Sequence, residues 1–88
     1  MDEMLAVIKL FAGSYVPVGY LECNGQVLLI MNNQALFSLL GTNYGGDGVK
    51  TFQLPDLRPL DASGKKRPWN SDEPRSIMCV QGIYPLRD

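Results

Sequence analysis

Few residues of this chain could carry chemistry, because it has two cysteines and no histidine. Without histidine, neither the cysteines nor the serines have the usual general base that would activate them as nucleophiles. Two cysteines are also too few for a four-ligand zinc site or a disulfide framework. We therefore expect Cys23 and Cys79 to be buried, reduced structural thiols, and we expect neither a metal, a cofactor nor an enzyme activity.

The segment Gly45-Gly46-Asp47-Gly48 is the one most like a ligand-binding loop. A phosphate loop would continue with Lys-Ser/Thr and open a helix, whereas Val-Lys-Thr follows here. A calcium loop would carry several carboxylates at alternate positions, and this segment has one. We interpret the segment as a tight connection that uses the freedom of glycine to adopt positive φ.

Charged residues later in the chain raise two further possibilities. Asp56 follows Pro55, so we expect it to accept backbone N–H bonds in a turn and not to belong to a catalytic carboxylate pair. Lys65-Lys66-Arg67 precedes Trp69, a mixture that can bind nucleic acid. A formal net charge of −1 lacks the basic footprint of a nucleic-acid partner, however, so we expect a solvated loop with Trp69 folded onto the core.

The composition also excludes membrane insertion. No apolar run is long enough to span a bilayer, since Lys9 interrupts the most apolar stretch, 4–12. Asp2 and Glu3 stand where a secretion signal would carry basic residues. We expect synthesis in the cytoplasm without a signal peptide.

Short extended segments and one helix must position these residues, which predicts an α+β fold: a small, mostly antiparallel sheet with one short helix and long ordered loops. Leu36, Phe37 and Leu40 share the face of a helix that Asn32-Asn33 would cap and Gly41 would end. Asn24-Gly25 predicts a two-residue hairpin turn between two of the strands. The first strand is expected to be buried on both faces and to lie beside the last. The predicted strands are 4–11, 20–23, 26–30, 51–54 and 76–81, and the predicted helix is 33–40.

Several short motifs occur in a specific order. They are 4–13, Pro-Val-Gly-Tyr (17–20), Cys-Asn-Gly (23–25), Ala-Leu-Phe (35–37), Leu-Gly-Thr-Asn-Tyr-Gly-Gly-Asp-Gly (40–48) and Thr-Phe-Gln-Leu-Pro-Asp-Leu-Arg (51–58). This series resembles the phage tail collar domain over about residues 4–58, and most closely the version in bacterial microcystin-dependent proteins. The ending, 77–85, is similar to the closing segment of the same proteins. The resemblance implies a single domain over 1–88, with a collar core (4–58), a short loop (59–75) and a closing strand (76–85).

The resemblance further implies a structural, non-enzymatic role in a tail fibre or a phage-derived tail-like particle. The partners would be other copies, in an oligomer that the resemblance suggests is a trimer, and other tail or fibre proteins. Relatives carry a long, glycine-rich and serine-rich stretch after the segment that ends at Arg58. Here that stretch is short and begins with Pro59, which favours a scaffold role over receptor binding.

A thin domain of 88 residues cannot bury all of its large side chains, so apolar surface should remain for contacts. Tyrosine and tryptophan suit such a surface because each joins an apolar ring to a polar tip. The candidate interaction residues are Tyr15, Tyr20, Tyr44, Trp69 and Tyr84, with Val16, Val18, Met31, Ile83 and Leu86 as apolar neighbours. The alternative function is a free-standing small-molecule or glycan-binding protein that uses the loop from Tyr44 to Gly48 together with Trp69.

Overall fold

The computed structural model describes residues 3–85, so Leu86 lies outside the described part. Its elements are β1 (Ile8–Phe11), β2 (Tyr20–Glu22), β3 (Val27–Leu29), a 3-10 turn (Ile30–Asn32), α1 (Gln34–Leu40), β4 (Thr51–Gln53) and β5 (Arg75–Cys79). All paired strands are antiparallel, and long loops connect the elements. The expected α+β class is confirmed, although the strands form two small sheets in place of one.

The larger sheet has the order β1-β5-β2, with the last strand in the centre. Ile8 faces Met78 across one side of β5, and Tyr20 faces Cys79 across the other. β5 occupies the centre, and its residues Ile77, Met78 and Cys79 are all buried there. The first and last strands are therefore neighbours, as predicted.

The first strand itself differs from the prediction. Only Ile8–Phe11 is extended, because Ala6 adopts φ 70° and interrupts the segment ahead of β1. β1 is also an edge strand, and Leu10 is 71% exposed. The prediction of a strand buried on both faces is wrong, since an apolar run does not reveal whether a strand has one neighbour or two.

The predicted hairpin at Asn24-Gly25 is also wrong, since β2 pairs with β5 and β3 pairs with β4. Gly25 does take positive φ (78°), and the Asn24 side-chain oxygen accepts the N–H of Gln26 at 3.2 Å. The chain nevertheless does not reverse direction here. The Gly25 N–H binds the Pro55 carbonyl, and Asn24 forms an antiparallel bridge with Asp56. These contacts continue the β3–β4 register, so one long segment passes from the first sheet to the second.

The core consists of two clusters on the two faces of β5. Cys79 and Ile77 pack with Tyr20 on one face, whereas Met78 points to the other. The larger cluster contains Cys23, Leu36, Leu40, Phe52, Leu54 and Met78. Both cysteines are buried and free, as predicted, and burial raises the pKa of the Cys23 thiol to about 11.

The helix lies close to its predicted position and buries Leu36 and Leu40. Phe37 is only half-buried, with its ring centroid 5.4 Å from that of Phe52. Asn33 occupies the N-cap position without capping, because its side-chain amide donates to the Leu29 carbonyl instead. Gly41 ends the helix at φ 57°, which confirms that part of the prediction.

Within residues 3–85, no helix combines the length and the apolar character that crossing a membrane requires.

Candidate functional site

The glycine-rich loop before β4 is held together by the side chain of Asp47. Its Oδ1 accepts the backbone N–H groups of Val49, Lys50 and Thr51 at 2.8–2.9 Å. These hydrogen bonds, that of Thr51 above all, lower the pKa of Asp47 to about 2. One of the two Asp47 carboxylate oxygens, Oδ1, is therefore already occupied by the loop itself.

Glycine is required in this loop because it lies against the backbone of β4. A Cβ at Gly46 would lie 2.4 Å from the Cα of Phe52, and one at Gly45 would lie 2.1 Å from the Gln53 amide oxygen. Both glycines have positive φ. The interpretation of the segment as a tight connection is confirmed.

Asp56 holds the turn that follows β4, as expected. It accepts the backbone N–H of Arg58 at 3.2 Å, and the Arg58 guanidinium adds two parallel bonds at 2.9 and 2.8 Å. The Arg58 side chain is the main cause that lowers the pKa of Asp56 to about 2. Lys66 donates to the carbonyls of both residues. The guanidinium and ammonium contacts were not predicted, although Asp56 and Arg58 stand two residues apart.

The basic segment is largely paired within the domain. Arg67 makes two 2.8 Å bonds to the carboxylate of Glu73, which lower the pKa of Glu73 to about 2. Lys66 is bound to carbonyl oxygens, as described above. The segment lies on the surface, as expected, and a bridge between Leu60 and Lys66 orders it. Trp69 is half-buried.

For one of the five predicted interaction residues, the prediction of an exposed side chain is wrong. Tyr20 is only 6% exposed, because it begins β2 on the face that packs against Ile77 and Cys79. The Lys9 ammonium covers its ring at 5.2 Å from the centroid. Tyr20 is therefore a core residue and is unavailable to a partner.

The other four candidates are attached to different elements. Tyr15 packs edge-on against Phe11 at the end of β1, and the Tyr84 hydroxyl lies 2.7 Å from that of Ser38 on α1. Tyr44 belongs to the loop after α1 and is exposed. Trp69 lines a separate cleft, described below, which no residue from Tyr44 to Gly48 lines.

An apolar groove, which we call the Met31 groove, lies beside β3 and has a volume of about 350 Å³. Met31 is 75% exposed there and Val49 is 79% exposed. The sequence analysis did not predict Val49 as a surface residue of this groove. It also missed the exposed apolar face of β3, which the apolar residues Val27 and Leu29 at alternate positions could have indicated. The lining residues are Leu29, Ile30, Met31, Gln34, Val49 and Lys50.

A polar cleft, which we call the Trp69 cleft, has a volume of about 310 Å³. One wall is formed by the ion pair of Arg75 with Glu22, which joins β5 to β2. Its lining residues are Glu22, Asn24, Arg58, Pro68, Trp69 and Arg75. Among residues 3–85, no group of three or more cysteine or acidic side chains is placed to hold a metal ion.

Comparison with known proteins identifies one family. The model of the Phage Tail Collar Domain matches residues 6–60, which is more than half of the chain. Neither the curated proteins nor the solved structures include a match. The matched range contains β1 to β4, the helix, the Asp47 loop and the Asp56–Arg58 turn. The chain therefore belongs to the phage tail collar domain family, a structural family of phage tail fibres.

Proposed function

We propose that this collar domain acts without catalysis, as an assembly module that binds other copies of itself and neighbouring tail or fibre proteins. The observation that carries the proposal is the excess of apolar surface. Among residues 3–85, fourteen large apolar side chains are exposed and ten hydrophobic residues are buried. Exposed apolar side chains are stabilised when a partner covers them, and assembly provides such a partner.

The Met31 groove is the best-supported contact surface. Its walls are mainly apolar, and Lys50 is its one charged lining residue. β3 pairs only with β4 among the described strands, so its second edge has no neighbouring strand there. An open edge with exposed apolar side chains favours pairing with another chain. We take that chain to be a second copy, because identical subunits can close a ring and leave no groove uncovered.

The finer assignments rest on the resemblance of the ordered motifs. They indicate the version of the domain found in microcystin-dependent proteins, a single domain over 1–88, and a trimer as the assembled state. They also favour a location in a virion or a phage-derived tail-like particle.

Light scattering and sedimentation over a range of protein concentrations test the assembly. We expect an oligomer whose proportion rises with concentration. The double variant Met31→Lys/Val49→Lys should be monomeric, since it places two charges in the groove. Ala62→Lys/Ser71→Lys is the matched control, because both residues are exposed, neither lines the groove and neither is a candidate interaction residue. A strictly monomeric wild type that also fails to co-sediment with neighbouring tail proteins would refute the proposal.

The alternative function, a ligand-binding protein that uses the loop from Tyr44 to Gly48 with Trp69, has less support. Oδ1 of the Asp47 carboxylate is occupied by backbone N–H groups of its own loop. The residues that line the Trp69 cleft come from other parts of the chain.

A further inference from the structure

We propose that the Trp69 cleft binds a neutral pyranose sugar, either free or as the terminal unit of an oligosaccharide. The cleft is built from β2, β5 and the loops around Asn24, Arg58 and Trp69. The proposal is independent of assembly through the Met31 groove, since the two sets of lining residues do not overlap.

The size and the apolar wall of the cleft suit one sugar ring. Its volume of about 310 Å³ lies at the lower end of the roughly 300–1,000 Å³ typical of small-molecule sites. Trp69 and Pro68 form the apolar part of the lining. An indole ring carries negative charge density on its face, which attracts the weakly positive C–H groups on one side of a pyranose.

The polar wall offers hydrogen-bonding groups that the domain does not use. Arg58 binds Asp56 through Nε and Nη2, so its Nη1 has no hydrogen-bond partner within residues 3–85. In the same part of the chain, the Asn24 amide nitrogen and Glu22 Oε1 are also without one. These three lining residues thus have two donor groups and one acceptor that the described residues leave unused. Such a mixture suits hydroxyl groups, because each hydroxyl both donates and accepts.

A second observation concerns Arg75, one of the residues that line the cleft. The Nε of Arg75 is buried and has no hydrogen-bond partner among the described residues. A buried donor without an acceptor destabilises its surroundings. The cleft is therefore lined by an arginine whose hydrogen bonding within the described residues is incomplete.

The charges of the cleft favour a neutral ligand over an anion. Arg58 is paired with Asp56, and Arg75 is paired with Glu22. Both guanidinium groups are therefore neutralised before any ligand arrives, and an anionic ligand would meet the Glu22 carboxylate. The same ion pairs hold the polar side chains in place, which reduces the entropy lost on binding.

The test is a fluorescence titration, because Trp69 is the only tryptophan of the chain and reports directly on the cleft. The probes are glucose, galactose, mannose and N-acetylglucosamine, together with their methyl glycosides. We expect a saturable change with a dissociation constant in the millimolar range for at least one neutral sugar. Binding of the methyl glycosides identifies a terminal sugar unit as the ligand, whereas binding of the free sugars alone identifies the monosaccharide.

Variants separate the cleft from the rest of the surface. Asn24→Ala keeps the reporter and should weaken binding at least about fivefold, since it removes one ligand hydrogen bond. Asn43→Ala, a matched change at an exposed residue outside the cleft, should bind like the wild type. Trp69→Leu, followed by amide chemical shifts in NMR, should abolish binding while the protein stays folded.

Three results would overturn the proposal. One is the absence of any fluorescence or chemical-shift change up to about 100 mM sugar, a concentration far above a millimolar dissociation constant. Another is preferential binding of glucuronate or inorganic phosphate, which would make the cleft an anion site. The third is unchanged sugar affinity in Asn24→Ala. Sugar binding by the monomeric Met31→Lys/Val49→Lys variant would distinguish this proposal from the assembly proposal.

Discussion

At the scale of single residues, three carboxylates organise the loops of this domain. Asp47 binds three backbone N–H groups, and Asp56 and Glu73 each bind an arginine through two bonds. Each arrangement stabilises the charged form of the carboxylate, and each lowers its pKa to about 2. The three groups are thereby linked to the stability of the fold.

These pKa shifts predict a loss of stability in acid. A carboxyl group with a lower pKa in the folded state binds its proton more readily when unfolded, so its stabilisation is present above the unfolded pKa. The ordinary values are 3.8 for Asp and 4.5 for Glu. The free energy of unfolding should therefore fall between about pH 5 and pH 2.

Urea unfolding measured at several pH values checks this prediction. The triple variant Asp47→Asn/Asp56→Asn/Glu73→Gln should be less stable than the wild type at pH 7 and should show a flatter profile between pH 5 and 2. Parallel profiles of variant and wild type would contradict the structural role of these carboxylates.

At the scale of elements, the position of the glycine loop on β4 is set by the lack of a side chain at Gly46. Gly46→Ala should strongly destabilise the domain, because the new Cβ would meet the Phe52 backbone at 2.4 Å and φ is +96°. Gly64→Ala is the matched control, since Gly64 has φ +87° but nothing within 4 Å of the added Cβ. The control should cost about 1–2 kcal/mol from the left-handed backbone alone.

Thermal unfolding of the two glycine variants measures the difference. Equal melting temperatures would show that the loop does not pack on β4 as described.

The helix packs mainly through Leu36, which is 1% exposed. Leu36→Ala should lower the free energy of unfolding by about 2–5 kcal/mol. Phe37→Ala should cost less than the roughly 3–5 kcal/mol of a fully buried ring, because Phe37 is half-buried. Chemical denaturation of both variants tests the ranking, and a larger loss for Phe37→Ala would reverse our assignment of the anchor.

At the scale of the whole molecule, the two cysteines report on two different parts of the core. Cys23 lies in the larger cluster and Cys79 in the smaller one. An aromatic disulfide reagent should find two free thiols in denatured protein without reductant and should react slowly with both in the native state. Finding no free thiol after denaturation would contradict the structure. Rapid reaction of Cys79 alone would show that the smaller cluster opens independently.

The sequence by itself determined the features that depend on local interactions. The helix near 34–40, its end at Gly41 and the tight Asp47 loop all follow from residue types within a few positions of one another. The order of short motifs likewise sufficed to identify the family, which the match over 6–60 confirms.

Only the tertiary structure decided which segments meet. Asn24-Gly25 has the local signature of a hairpin, yet β2 and β3 bind strands far away in the chain, because β5 and β4 offer long-range partners that a turn motif does not reveal. Tyr20 is buried for the same reason, since its exposure depends on the neighbouring β5. The Trp69 cleft joins β2, β5 and the loops between them, so its chemistry exists only after these distant side chains are brought together by packing.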